Sequence, residues 1–344
     1  MTNKILVGGV ASIVFVTALL LLGAKSEEQT TPTRADTGSD GYWEESIKVL
    51  GGDRAYEEFA HAVSDFNQGR QHAHAHTFGA ALYEVEGLEG LPVCDGRFSY
   101  GCFHEFLGHA IAEHGIDSVS LLNDGCIQAL VESPLSCQHG IGHGVMAFFG
   151  YSEGDLLHAL DVCLNLPYND PIGGCYGGVF MEYNLHTMLG FDANLREFQD
   201  NIGEPCDSLS SPYKAPCVYW QPQWWHQAIF SGESTAESYS QMGEYCREVG
   251  DTSYLIRSCM EGLGTITAYA SRYDPDTIME LCDAAASNIS ERLYCTSLAA
   301  NSMGIEVDKL SAERACASFS GDHKEYCLAY ARNEANILNV RAEP

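Results

Sequence analysis

The chain has 344 residues, 47 acidic against 18 basic side chains, a formal net charge of −29 and 45% hydrophobic residues. So acidic a surface repels nucleic acid and anionic lipid headgroups; it suits a saline medium, cationic partners or metal ions. Nucleic-acid binding is therefore excluded, and the 14 cysteines and 13 histidines carry the information that remains.

From the N-terminus, Ile5 to Ala24 form an uncharged apolar run of 20 residues behind Lys4. That length fits a membrane-spanning helix and exceeds the core of about 7–15 residues usual in a cleaved signal. Residues 1–24 are read as a transmembrane anchor, or else as a removed signal segment. Lys4 on the short side and Glu27 and Glu28 on the long side direct the remainder out of the cytoplasm, either anchored to the membrane or secreted. Residues 25–42 are acidic, Thr-rich and nearly devoid of large apolar side chains, and read as a flexible tether. Residues 43–90 lack cysteine and carry helical patterns between Asp53 and Glu86, as expected of an N-terminal helical cap.

From residue 91 to 344 the cysteines fall into seven couples: Cys94/Cys102, Cys126/Cys137, Cys163/Cys175, Cys206/Cys217, Cys246/Cys259, Cys282/Cys295 and Cys316/Cys327. Partners lie 8 to 13 positions apart, and the second members recur every 32 to 42 residues. Such a period is the mark of stacked helical hairpins, and an even count at regular spacing in an exported chain implies disulfides within each couple. Zinc ligation by the cysteines is disfavoured because no C-x₂-C spacing occurs. In the sequence pattern the first cysteine ends one helix, as in Asp155–Cys163 and Asp276–Cys282, and the second opens a Gly-rich helix, as in Cys137-Gln-His-Gly-Ile-Gly-His143. The expected fold is all-α: a right-handed α-solenoid of about seven disulfide-stapled helical hairpins behind the cap.

Eleven of the 13 histidines fall between His61 and His186. His72/His76 and His139/His143 are i, i+4 pairs, which put two imidazoles on one helix face, a bidentate arrangement for a divalent metal. His104 and His109 are five apart, so a regular helix splays them by about 140°. If the Gly-His of the first repeat matches that of the second, the extra residue falls at an irregular helix start and both rings still converge. His72, His76, His104, His109, His139 and His143 form the expected metal site, with Glu182 and His186 as a weaker i, i+4 addition. Neutral imidazole suits Zn, Cu or Fe. Glu105 is the candidate base if a metal-bound water does chemistry, and Glu105 and Glu113 are candidate partners for ring N–H groups. The string His104-Glu105-x-x-x-His109 is one residue too long for a zincin motif, and that reading is rejected.

One segment further on, Tyr219-Trp220-Gln-Pro-Gln-Trp224-Trp225-His226, holds three of the four tryptophans. Pro222 is expected to disrupt its helix and expose Trp220, Trp224, Trp225 and His226 as a contact for a protein or glycan partner. No phosphate loop, nucleophile elbow, haem-attachment motif or dinucleotide fingerprint occurs. The functional expectation is an exported, membrane-anchored repeat protein that binds a transition metal. The alternatives are an interaction scaffold and a metal-dependent extracellular hydrolase or oxidoreductase.

Overall fold

A computed structural model describes residues 36–129, 134–166, 172–189 and 195–334. The apolar run Ile5–Ala24 and most of the expected tether lie outside the described residues, and no helix among the described residues is long and apolar enough to cross a membrane.

The described chain is all-helical, with 15 α-helices and no strand. They are α1 (Asp40–Leu50), α2 (Gly52–Val63), α3 (Gln68–Glu86), α4 (Gly101–His114), α5 (Val119–Ala129), α6 (Pro134–Phe149), α7 (Glu153–Leu164) and α8 (Cys175–Leu185). After an irregular stretch come α9 (Lys214–Ala228), α10 (Ala236–Val249), α11 (Ser253–Ala270), α12 (Pro275–Ala285), α13 (Ile289–Glu306), α14 (Lys309–Ala315) and α15 (Gly321–Ala331). Local chemistry sets several starts. Ser152 caps α7 in a reciprocal capping box with Asp155, Thr235 does the same for α10 with Ser238, and Asp274 followed by Pro275 opens α12. Helix α1 begins inside the segment read as a tether, because Trp43 is fully buried against Phe59 and Phe78 and donates its indole N–H to the Thr37 carbonyl.

All seven couples are bonded as paired in the sequence: Cys94–Cys102, Cys126–Cys137, Cys163–Cys175, Cys206–Cys217, Cys246–Cys259, Cys282–Cys295 and Cys316–Cys327. The hairpins around these bonds differ from the expected pattern at three points. Cys94 and Cys206 do not end α-helices: Cys94 follows the 3₁₀ stretch Gly87–Val93, and Cys206 opens another, Cys206–Ser208. Cys137, the fourth residue of α6 after Pro134, does not open its helix, and neither does Cys217, the partner of Cys206. The latter is the fourth residue of α9, which starts at Lys214 because the Cys217 N–H already bonds the Tyr213 carbonyl. Cys217 is buried, so this bridge pins a 3₁₀ turn, not an outer helix, to the first turn of α9. In α11, α13 and α15 the second cysteine, Cys259, Cys295 or Cys327, is the seventh helical residue rather than the opening one. Thr252 and Asn288, whose side chains accept backbone N–H groups, start α11 and α13 nearly two turns earlier.

Helices α3, α4, α6, α8, α9, α11, α13 and α15 pack side by side in that order, and the other helices cover them. Glycine permits the close approach. A Cβ on Gly142 of α6 would strike the Cys175 carbonyl of α8, and one on Gly264 of α11 would strike the Cys295 carbonyl of α13.

The row of hairpins curls back on its beginning. Glu306, at the end of α13, accepts from Gln68 Nε2 at 2.6 Å and from Ser99 Oγ at 3.3 Å. The Trp220 ring of α9 sits 5.5 Å from that of His139 in α6. This curl positions the site, because it brings the C-terminal halves of α9 and α11 over the histidine-bearing face of α3.

Candidate metal centre

Three neighbouring helices deliver five imidazoles to one place. His72 and His76 come from successive turns of α3, His104 from the first turn of α4, and His139 and His143 from successive turns of α6. Helix register does this directly. His104 and His139 each stand two residues after the second cysteine of their repeat, Cys102 and Cys137, so the disulfides hold both rings at the same level. In the next repeat that position is Gly177, where a Cβ would stand 3.1 Å from His139 Nδ1. The missing side chain leaves room for the His139 ring.

The rings form two overlapping triplets, His72/His76/His104 and His104/His139/His143. Within each triplet the ligand nitrogens lie within 4.8 Å of one another, and His104 belongs to both. Three nitrogen pairs stand closer: His72 Nε2 to His76 Nε2, His76 Nε2 to His104 Nδ1, and His139 Nε2 to His143 Nε2, each 3.2 Å. Two nitrogens bound to one tetrahedral zinc at 2.0–2.1 Å stand about 3.3 Å apart.

The proton inventory explains what these contacts are. A neutral imidazole has one N–H. His143 Nδ1 donates to Glu182 Oε2 at 2.9 Å, and the His139 ring hydrogen-bonds to the Gly174 backbone. Their Nε2 atoms face each other across 3.2 Å, a contact closed either by a hydrogen on one ring or by a metal ion accepting both lone pairs. His72 Nδ1 likewise donates to the Phe98 carbonyl at 2.8 Å, and His76 Nδ1 faces the Glu105 carboxylate at 3.3 Å, which turns both Nε2 lone pairs inward. A cation entering either triplet meets imidazole nitrogens at the spacing of ligands on one metal ion.

Four of the five rings resist protonation near neutrality. Burial lowers His72 to about 3, helped by the neighbouring His76, and lowers His76 to about 4 with a contribution from His143. Burial first, and His143 second, hold His104 and His139 well below the ordinary imidazole range. Burial pushes the Glu105 carboxyl up to about 7, against the pull of His109. Burial also acts to raise Glu182, but hydrogen bonds from His143, Thr187 and Tyr151 outweigh it and hold that carboxyl below its usual range.

A cavity of about 1030 Å³ opens onto the first triplet. His72, His76 and Glu105 line its floor, and Asp40, Glu44 and Glu84 add negative charge. Leu185, Leu195, Ile266 and Tyr269 give it an apolar wall. The residues lining it do not include His139 or His143, and His143 is fully buried. One triplet thus meets the cavity and the other lies behind it.

Not every expected residue takes part. His109 belongs to neither triplet: α4 is regular from Gly101, so the five-residue step turns the ring to the cavity rim, 38% exposed and 3.3 Å from Glu84. The repeats align at Cys-x-His, not at Gly-His, and that was the signal to read. His186 is separated from Glu182 because α8 ends at Leu185; His186 adopts a left-handed conformation and its ring packs at a tilt against Tyr151, 4.2 Å between centroids. Glu182 stands behind His143, where Tyr151, Thr187 and the Met188 N–H all donate to it. Glu113 pairs with the Tyr83 hydroxyl instead of a ring N–H. Tyr151 and Thr187 were not foreseen, and no spacing rule marks them.

Of the expected tryptophan contact, Trp220 stays half-buried and donates to the Ile172 carbonyl, while the other residues are withdrawn from the surface. Pro222 lies within an unbroken α9, and Trp224 and Trp225 are fully buried. Trp224 donates to the Arg196 carbonyl and packs its ring 3.6 Å from the Arg196 guanidinium, while Trp225 donates to the Ile202 carbonyl. The irregular stretch before α9 supplies these acceptors, so the tryptophans fill the gap that a missing outer helix would leave. His226 is buried beside Ser234.

Comparison with known proteins finds no matching family model, no matching curated protein and no matching solved structure.

Proposed function

We propose that this chain binds transition-metal ions, Zn, Cu or Fe, through His72, His76, His104, His139 and His143 in an oxidising compartment outside the cytoplasm. The observation that carries the reading is the pair of buried histidine triplets, whose ligand nitrogens lie within 4.8 Å of one another and approach to 3.2 Å between His139 Nε2 and His143 Nε2. The seven disulfides favour export, and the apolar run Ile5–Ala24 is the proposed membrane anchor. The repeats are read as a right-handed superhelical row whose curl brings the cavity over the first triplet. Elemental analysis of tag-free protein should find about one or two ions per chain, at most one for each triplet. The His139→Ala/His143→Ala double variant should lose metal while keeping its helical circular dichroism. Metal-free wild-type protein after exposure to Zn²⁺, Cu²⁺ and Fe²⁺ would overturn the reading.

The cavity favours a second reading, a metal-dependent hydrolase or oxidoreductase, because it reaches His72, His76 and Glu105. In that reading Glu105 is the base beside an ion with one position open to the cavity. Metal whose coordination is completed wholly by protein, with no exchangeable water, rules it out.

A further inference from the structure

The two triplets are joined, since one ring serves both. Resting on the metal-binding reading above, we propose that the cluster holds two divalent ions and that His104 bridges them as an imidazolate, with Nδ1 on one ion and Nε2 on the other.

The geometry points this way at several places. His104 Nδ1 stands 3.2 Å from His76 Nε2, the same separation as within the two i, i+4 pairs. Its ring centroid lies 5.1 and 5.2 Å from those of His72 and His76, and 5.6 and 4.5 Å from those of His139 and His143. His104 is thus central to the set. The ligand nitrogens form two triplets rather than one group of five, so a single ion engages one triplet and leaves two rings of the other without a ligand role. Two ions use all five rings.

The proton balance is simple. Neutral His104 has one N–H; when its second nitrogen takes a metal, that N–H breaks, the proton leaves to solvent, and the ring becomes an anion. No electron is transferred. The anion suits the place, because two divalent ions in a buried site need more negative charge than Glu105 and Glu182 bring. The two ions differ in access. The one held with His72 and His76 borders the cavity, and the one held with His139 and His143 sits behind it, against Trp220.

The test loads the full chain, disulfides intact, with Cu²⁺. Elemental analysis should give two Cu²⁺ per chain, with low-temperature EPR intensity under about one-tenth of that of two isolated ions, because an imidazolate bridge couples the spins. The His72→Ala/His76→Ala variant should keep one ion with full EPR intensity and with Trp220 fluorescence quenched. The His139→Ala/His143→Ala variant should also keep one uncoupled ion, without that quenching. His104→Ala should abolish the coupling. Should His104→Ala fail to fold, the two double variants decide alone. Two uncoupled ions in the wild type, or only one, overturn the bridge while the metal-binding reading stands. Coupling that survives in His104→Ala overturns it too. No bound copper removes both readings.

Discussion

His143 and Glu182 meet at 2.9 Å with both side chains wholly withdrawn from solvent. Four donors converge on that carboxylate, which fixes the tautomer and the aim of the His143 ring. Glu182→Gln should therefore weaken metal binding at the His139/His143 triplet by about 10–100-fold, as loss of a ligand-orienting carboxylate does elsewhere. Competition with a chelator of known affinity measures this. Unchanged affinity would show that Glu182 supports the fold only.

Metal should be held to unusually low pH. An ordinary histidine site loses its ion as the rings protonate near their free value of 6.5. Here burial keeps His72 neutral down to about 3 and His76 down to about 4. Metal content after dialysis at stepped pH should stay level from pH 7.5 to about 5. A midpoint of release near 6.5 contradicts the burial described above.

Stability of the metal-free protein should fall with acid. For His72, His76, His104 and His139 the folded state resists protonation and the unfolded state does not, so the unfolded chain binds more protons as pH drops below 6.5. Their contribution is intact above 6.5 and is lost as pH falls towards the folded values. Glu105 works oppositely: with its folded pKa raised to about 7, its contribution to the folded state grows as pH falls from 7 to 4.5 and is full below that. Four rings outweigh one carboxyl. The melting temperature should drop between pH 6.5 and 4, and drop less in His72→Gln/His76→Gln. Parallel curves for the two proteins would refute the assignment.

Replacing Trp224 should act on the fold, not on a partner. Trp224→Ala removes a fully buried ring packed on Arg196 and should cost about 3–5 kcal/mol in unfolding free energy, read from denaturant curves. Metal content per folded chain should be unchanged.

Two glycines offer a matched pair. Gly142→Ala and Gly264→Ala each push a Cβ into a neighbouring helix carbonyl, and each should cost about 1–3 kcal/mol. Gly142 adjoins His143, so only Gly142→Ala should also lower metal affinity. Equal effects on metal would mean that the cluster senses global stability.

Much of this was legible in the residues. Cysteine spacing gave the seven bridges, and the four-residue steps His72/His76 and His139/His143 gave the two faces of the cluster. The same spacing did not mark where helices begin: Cys217 and Cys259 sit inside their helices because capping groups and backbone bonds further upstream decide the start. The shared Cys-x-His spacing of Cys102/His104 and Cys137/His139 ranks His104 above His109, whereas an alignment on Gly-His hides it. The fate of Trp224 depended on acceptors at Arg196 and Ile202, in a stretch without periodicity. Glu182 was visible as a helical neighbour of His186, whereas its actual partner, His143, lies 39 positions earlier. Contacts of that kind exist only after the helices pack.

The bond between Gln68 and Glu306 spans 238 positions. In an open row of repeats, trimming units from one end leaves the other end unaffected, since each unit answers only to its neighbours. Here the last hairpins hold the first in place, and α9 and α11 wall the chamber over the histidines of α3. The N-terminal third therefore has no standing as an independent metal-binding module, and a gene encoding it alone should yield a chain whose imidazoles lie open to water.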